Sequence, residues 1–255
     1  GFKAMVRWIM QFSKLREEWL LCMEHTGIYA LPLWYFLTAE KITYCVVPGS
    51  VISSGLEIRR GKNDKIDAGD ITRFTMRYAD ELKPHQLPTQ VLQRLRMLFA
   101  YRERLVKASV LLKVPANEAK EFALKESKEV RTDSSSLVQI IEARITKVEK
   151  LMLEVINSDE QTATYYQLIV SVKGFGIVTA CYLLIITQCF TMMTKSRELA
   201  NFGGVAPHPH KSGKSIKGKT RVSPVADKKL KALLSRGASS LIQYDEGTKN
   251  YQIGR

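Results

Sequence analysis

The sequence predicts an α/β unit followed by helical ones, an α/β plus α fold, and three observations carry that reading. Over the first 80 residues two short apolar runs, 19–23 (WLLCM) and 41–47 (KITYCVV), alternate with helical patterns. Between residues 89 and 166 two long apolar stripes recur at helical spacing with charges between them. The final stretch, 167–255, opens helically and then becomes rich in Gly, Lys and Ser around 203–221.

Each element follows from its residues. In 2–14, Phe2, Met5, Val6, Ile9 and Met10 fall at helical spacing. WLLCM is apolar without alternation, as in a strand buried on both faces. Gly27 punctuates the chain, and 28–39 reads as a helix through Leu31, Trp34, Tyr35 and Leu37. KITYCVV is β-branched and aromatic, a second buried strand closed by Pro48-Gly49. After a loop bearing Gly and Arg, 64–79 is helical again. Strand, helix, strand, helix implies a parallel sheet.

In the middle, Leu92, Leu95, Leu98, Phe99, Leu105 and Val106 form one stripe. Asp133 opens another, with Leu137, Ile140, Ile141, Ile145, Val148, Leu151, Met152 and Val155, and the break between them holds Pro115 and the polar segment 125–136. The pair predicts an antiparallel coiled-coil arm; the alternative is two helices packed on a globular body. The core of the last section is expected in 169–189 and 230–242. The domains expected are therefore 1–88, 89–166 and 167–255.

Charge narrows the function. Thirty-nine Lys and Arg against 25 Asp and Glu give a net +14 and a pI near 9.6. That excess favours polyanionic partners, nucleic acid before anionic membrane. The longest apolar run, 179–187 (TACYLLIIT), is too short to span a bilayer, and no signal peptide opens the chain. Cys22, Cys45, Cys181 and Cys189 lack metal-ligand spacing and lie in apolar stretches, as buried thiols of a reducing cytoplasm do. His208-x-His210 has no Cys or carboxylate nearby to complete a metal set.

Three groups of residues carry chemistry. Glu24 follows the WLLCM strand, at the C-terminal end where parallel sheets place their sites. Asp64 and Asp67 lie one turn apart on a predicted helix. Three carboxylates from a strand end and a helix suit the hard-oxygen site of metal-assisted phosphoryl transfer. The plainer reading is an acidic first turn complementing the helix dipole, or a charged face neutralised by Lys62 and Lys65. Next, SVKGFG (171–176) precedes an apolar helix; Gly174 and Gly176 expose backbone N–H groups at a helix start, with Lys173 beside them, as a phosphate-gripping hairpin or an ordinary tight turn. Third, 203–221 (GGVAPHPHKSGKSIKGKTR) is a basic loop: from His208 to Arg236 there are nine Lys or Arg and one Asp. Lys211, Lys214, Lys217, Lys219 and Arg221 are phosphate-binding candidates. Ser212 is a candidate nucleophile among these cations, although residue type alone does not rank it above Ser215 or Ser223.

The blocks MEHTGIYALPLWYFL, YCVVPGSVISSGLEIRRGKNDKIDAGDITRF, LIVSVKGFGIVTACYLL and ELANFGGVAPHPHKSG, in this order, resemble the transposases of the insertion-sequence one-ten family over nearly the whole chain. The resemblance implies a RuvC-like (RNase H-like) domain with a DEDD tetrad, a central coiled coil, and a C-terminal transposase domain with a serine nucleophile. Glu24 then matches the tetrad's Glu, Asp64 and Asp67 its last two Asp, and Ser212 the serine that links covalently to DNA. It also implies Mg²⁺ as cofactor, DNA as substrate, a bridge RNA as guide in some members, homo-oligomers through the coiled coil, and a bacterial cytoplasmic, nucleoid-associated setting. The sequence departs from the pattern: no Asp occurs before Asp64, and Ala226 stands where the family usually has Gly. An internal fragment or decayed copy, itself inactive, is therefore expected. The alternatives are a junction-resolving nuclease using the carboxylates alone, and a DNA- or RNA-binding remnant.

Overall fold

Two parallel strands, β1 (Leu21–Glu24) and β2 (Tyr44–Val47), pair with Cys22 opposite Cys45 and Glu24 opposite Val47. The computed structural model describes residues 1–56, 63–121, 128–208, 211–212, 216–217, 221–222 and 226–244, with the backbone alone at 28, 115–121, 208, 211–212, 216–217, 221 and 244. Strand periodicity sorts the sheet's side chains onto two faces. Leu21, Met23, Tyr44 and Val46 join a cluster with Val6 of α1 (Phe2–Ile9) and Trp34 and Leu37 of α2 (Leu31–Ala39). Cys22 and Val47 face the other way, toward Ile52 of α3 (Gly49–Ser54) and Ile71 and Phe74 of α4 (Asp64–Arg77). Both faces are covered, which is why neither strand alternates in polarity.

The elements differ from expectation at their edges. The first strand begins at Leu21, because Arg16–Glu18 form a 3-10 turn and Trp19 is buried ahead of the strand, its indole N–H donating to Ser13 O at 3.2 Å. Glu24 closes the strand instead of following it. The expected helix at 28–39 divides into a 3-10 turn, Gly27–Ala30, and α2, which has Pro32 in its first turn where no N–H is needed. The expected loop after Pro48 opens with the short helix α3, an element the sequence reading missed.

The chain divides into two compact units, Gly1–Leu87 and Pro88–Arg255. In the second, α5 (Gln90–Glu121) and α6 (Lys128–Asn157) lie against one another. Helix α5 continues through Pro115, and α6 starts at Lys128, ahead of Asp133. Of the expected polar break at 125–136, residues 128–136 are helical surface of α6, with Glu129, Thr132, Asp133, Ser135 and Ser136 exposed, and 125–127 lie outside the described residues. The bases of both helices enter the main core. Leu92, Leu95 and Phe99 of α5 and Val148, Met152, Val155 and Ile156 of α6 cluster with α8 (Ile177–Thr187), Ile169 of α7 (Glu160–Val170) and Leu230 of α10 (Lys228–Tyr244). The apolar run too short for a bilayer is α8, the buried centre of this unit; among the described residues no helix is long and apolar enough to cross a membrane. Arg102 Nε donates to Glu149 Oε1 at 2.7 Å across α5 and α6, and Lys229 of α10 pairs with Glu103. After α8 the chain reverses through three left-handed residues, Gln188, Cys189 and Phe190 (φ 48°, 54° and 61°). That strained turn is held by Phe190 N–H donating to Thr187 Oγ1 at 3.0 Å.

Candidate active site

Glu24 ends β1 on the same face of the sheet as Cys22, Cys45 and Val47, and α4 packs against that strand. Helix α4 begins where it does because Asn63, extended at φ −155°, caps it. Its Oδ1 accepts from Ile66 N–H at 2.9 Å, and its carbonyl accepts from Asp67 N–H at 3.0 Å. The cap places Asp64 and Asp67 in the first turn. Glu24 and Asp64 are exposed and Asp67 is half-buried. Among the described residues no hydrogen bond or ion pair engages the three carboxylates, whereas Asp70, further along the same helix, is paired with Arg73.

Glu24 also has a specific neighbour. Its side chain lies over Gly49, the first residue of α3: a β-carbon built there would stand 2.1 Å from Glu24 Oε1 and 2.8 Å from its Cδ. In type, these free carboxylate oxygens fit a hard divalent cation. In number and closure they fall short. Among the described residues no three His, Cys, Asp or Glu side chains converge on one ion position.

The second unit carries the other candidates. The SVKGFG segment connects α7 to α8 as a tight turn, with Gly174 at φ +86°. A side chain at Gly174 would strike the Gly237 carbonyl at 2.6 Å, and one at Gly237 would strike the Phe175 ring at 2.2 Å. These glycines bring the turn onto α10. Gly176 differs: it caps α8 without a side-chain hydrogen bond and faces open space, so the helix start is accessible. Lys173 is exposed beside it.

The expected Ser-Gly loop carries strands instead. Pro207–His208 (β3) pairs antiparallel with Arg221–Val222 (β6), and Lys211–Ser212 (β4) with Ile216–Lys217 (β5). Ser212 therefore sits on a basic β-ribbon, opposite Ile216, with Lys211 opposite Lys217 and His208 opposite Arg221. Lys214, Lys219, His210, Ser215 and Ser223 lie outside the described residues.

Sequence reasoning missed a tie between the two helices that flank the ribbon in the chain. Asp227 N–H donates to Phe202 O at 2.8 Å, tying the start of α10 to the end of α9 (Ser196–Phe202). Its carboxylate accepts from Leu230 N–H at 2.6 Å and from the Tyr182 hydroxyl at 2.9 Å. Burial, then Asp227's hydrogen bond and charge, push the Tyr182 hydroxyl far above its ordinary pKa, so it stays a donor. The available signal was an Asp immediately before a helical pattern.

Carboxylates at a strand's C-terminal end and in the first turn of a helix, with a basic ribbon in the second unit, suit an enzyme that acts on DNA, and comparison with known families makes that class a transposase. The DEDD-type family model described as Transposase matches residues 1–118, and the model described as Transposase IS116/IS110/IS902 family matches residues 166–252. The chain belongs to the IS110 family of insertion-sequence transposases. Transposase domains of the DEDD type generally use divalent metal ions. No curated protein matches the chain significantly.

Proposed function

We propose that this chain carries the strand-cutting and rejoining residues of its transposase family, divided between its two units. The observation that carries the reading is positional. One family match contains Glu24, at the strand's C-terminal end, with Asp64 and Asp67 in the first turn of the helix covering that face; the other contains Ser212 on its ribbon. In this reading 1–88 is the RuvC-like part, 89–166 the coiled-coil arm that joins copies of the protein, and 167–255 the serine-bearing part.

Glu24, Asp64 and Asp67 would hold Mg²⁺. A cation there supplies positive charge to the phosphate undergoing exchange. Ser212 attacks the phosphorus of a DNA strand: the Oγ–P bond forms as a strand P–O bond breaks, and the departing strand oxygen takes a proton. Attack by a strand hydroxyl on the phosphoserine reverses the step and returns the serine. Lys211, Lys214, Lys217, Lys219 and Arg221 offset phosphate charge around it. Lys173, Gly174 and Gly176 grip the backbone at the start of α8. A bridge RNA is the proposed guide.

Because no Asp precedes Asp64, the chain by itself holds three of the four tetrad carboxylates and is proposed to bind nucleic acid without cutting it. The absence of a converged three-ligand group among the described residues favours that second reading, a binding remnant. The test is strand exchange by a recombination-competent transposase that carries this chain. Ser212→Ala is expected to abolish both exchange and the covalent protein–DNA adduct on a denaturing gel while DNA binding persists, and Asp67→Asn to abolish exchange. Unchanged exchange with Ser212→Ala overturns the serine role, and cleavage without any adduct assigns the chain to the hydrolytic nucleases. Metal-dependent cleavage by the chain alone overturns the remnant reading.

A further inference from the structure

Cys22 and Cys45 are direct partners across the parallel pair of β1 and β2, and neither has a part in the proposed chemistry. Neighbouring strands run about 4.8 Å apart, inside the α-carbon separation of about 4.4–6.8 Å that a disulfide spans. Residues in register on parallel strands also send their side chains to one face. Here it is the face of Val47, Ile52 and Phe74, against which Cys22 packs. Both are free thiols, and the Cys45 thiol is pushed up first by burial and then by the charge of nearby Cys22.

The two differ in access. Cys22 is half-buried, whereas Cys45 is 1% exposed. A dissolved reagent therefore meets Cys22 first. The remaining cysteines offer no such entry: Cys181 is buried within α8, and Cys189 is buried in the turn after it, its Sγ 3.7 Å from Thr162 Oγ1.

We infer that Cys22 and Cys45 form a redox-modification site, a dithiol that a small-molecule disulfide of the glutathione type converts to a cross-strand disulfide. The Cys22 sulfur attacks one sulfur of the reagent's S–S bond and gives up its proton, and the first reagent thiol leaves. The Cys45 sulfur then attacks Cys22 in the mixed disulfide, gives up its own proton and displaces the second thiol. The chain loses two electrons and two protons, and the reagent is reduced to two thiols. Where reduced thiols are in excess the reaction runs back. The link closes the crossover from β1 through α2 to β2 into a ring, and it forms whether or not Glu24 binds a cation.

The experiment incubates the natively folded chain with oxidised glutathione, labels the remaining thiols with N-ethylmaleimide in denaturant, and maps the peptides by mass spectrometry. The expected result is a peptide pair joined through Cys22 and Cys45, with labelled cysteines falling from four to two and returning to four after excess dithiothreitol. The Cys45→Ala chain is expected to stop at the mixed disulfide, with one glutathione on Cys22. In Cys22→Ala, Cys45 is expected to remain a labelled thiol. A wild-type chain that keeps glutathione on Cys22 without closing the link overturns the inference. So does one in which all four thiols stay labelled, or one whose link involves Cys181 or Cys189. The wild-type map needs no substitution and decides the pairing by itself.

Discussion

The two units bury their apolar residues in different ways. The first divides them between two small clusters, one on each face of a two-stranded sheet, and its carboxylates stand at the ends of elements. The second draws α5, α6, α7, α8 and α10 into one continuous cluster, in which Leu95, Met152, Ile156, Leu184 and Leu230 are wholly excluded from solvent. Asp227, at the start of α10, ties that helix to Tyr182 of α8 in that cluster. In the first unit Glu24, Asp64 and Asp67 are exposed or half-buried and unpaired among the described residues, with Asn63 capping the helix that carries Asp64 and Asp67.

The sharpest test of this contrast is in the core. Leu184→Ala should cost about 2–5 kcal/mol, as deletion of a fully buried leucine does. Hydrogen exchange should then show protection falling across the second unit while β1, β2 and α4 keep theirs. An equal loss in the first unit would break the contrast.

A smaller effect is expected where the turn meets α10. Gly237→Ala forces a methyl into the Phe175 ring and should cost about 1–3 kcal/mol by overpacking, read by urea unfolding. A neutral result would mean that the α7–α8 turn yields more easily than the core beside it.

The caps give the smallest effect and differ in their dependence on pH. Asn63→Ala should cost about 1 kcal/mol in the first unit. Asp159 caps α7, and its carboxyl is held below the ordinary range first by the Thr162 hydroxyl at 2.5 Å and then by the Thr162 N–H at 2.8 Å. A depressed carboxyl adds stability above its unfolded pKa, and that stability is lost as pH falls through the folded value. Asp159→Asn should therefore flatten the acid limb of unfolding curves for the second unit, while Asn63→Ala leaves the acid limb of the first unchanged.

Much of this was legible in the sequence where one residue pattern has one physical outcome. KITYCVV and WLLCM read as strands buried on both faces, and α1, α2, α5 and α6 cover them or one another along the stripes their apolar residues define. The basic excess read as DNA binding, and the ordered blocks carried the family. The ribbon was not legible. Its strands are two residues long, and strand pairing depends on residues across the hairpin, a relation that composition rich in Gly, Lys and Ser obscures. Nor was α3, whose six residues fall below the length at which helical periodicity shows. Pro115 read as a break because local propensity opposes helix there, yet α5 runs through it.

The sequence by itself determined which residues are apolar, charged and spaced for helix or strand, and therefore the α/β-then-α order, the basic character and the family. Those properties are local, or they persist as a linear pattern. The tertiary structure decided that Glu24 shares a sheet face with α4, that Gly49 makes room beneath its carboxylate, that Asp227 binds the ends of two helices, and that Ser212 lies on a ribbon. Each of these is a contact between residues distant along the chain or set by strand register, and no linear pattern contains the distance between them.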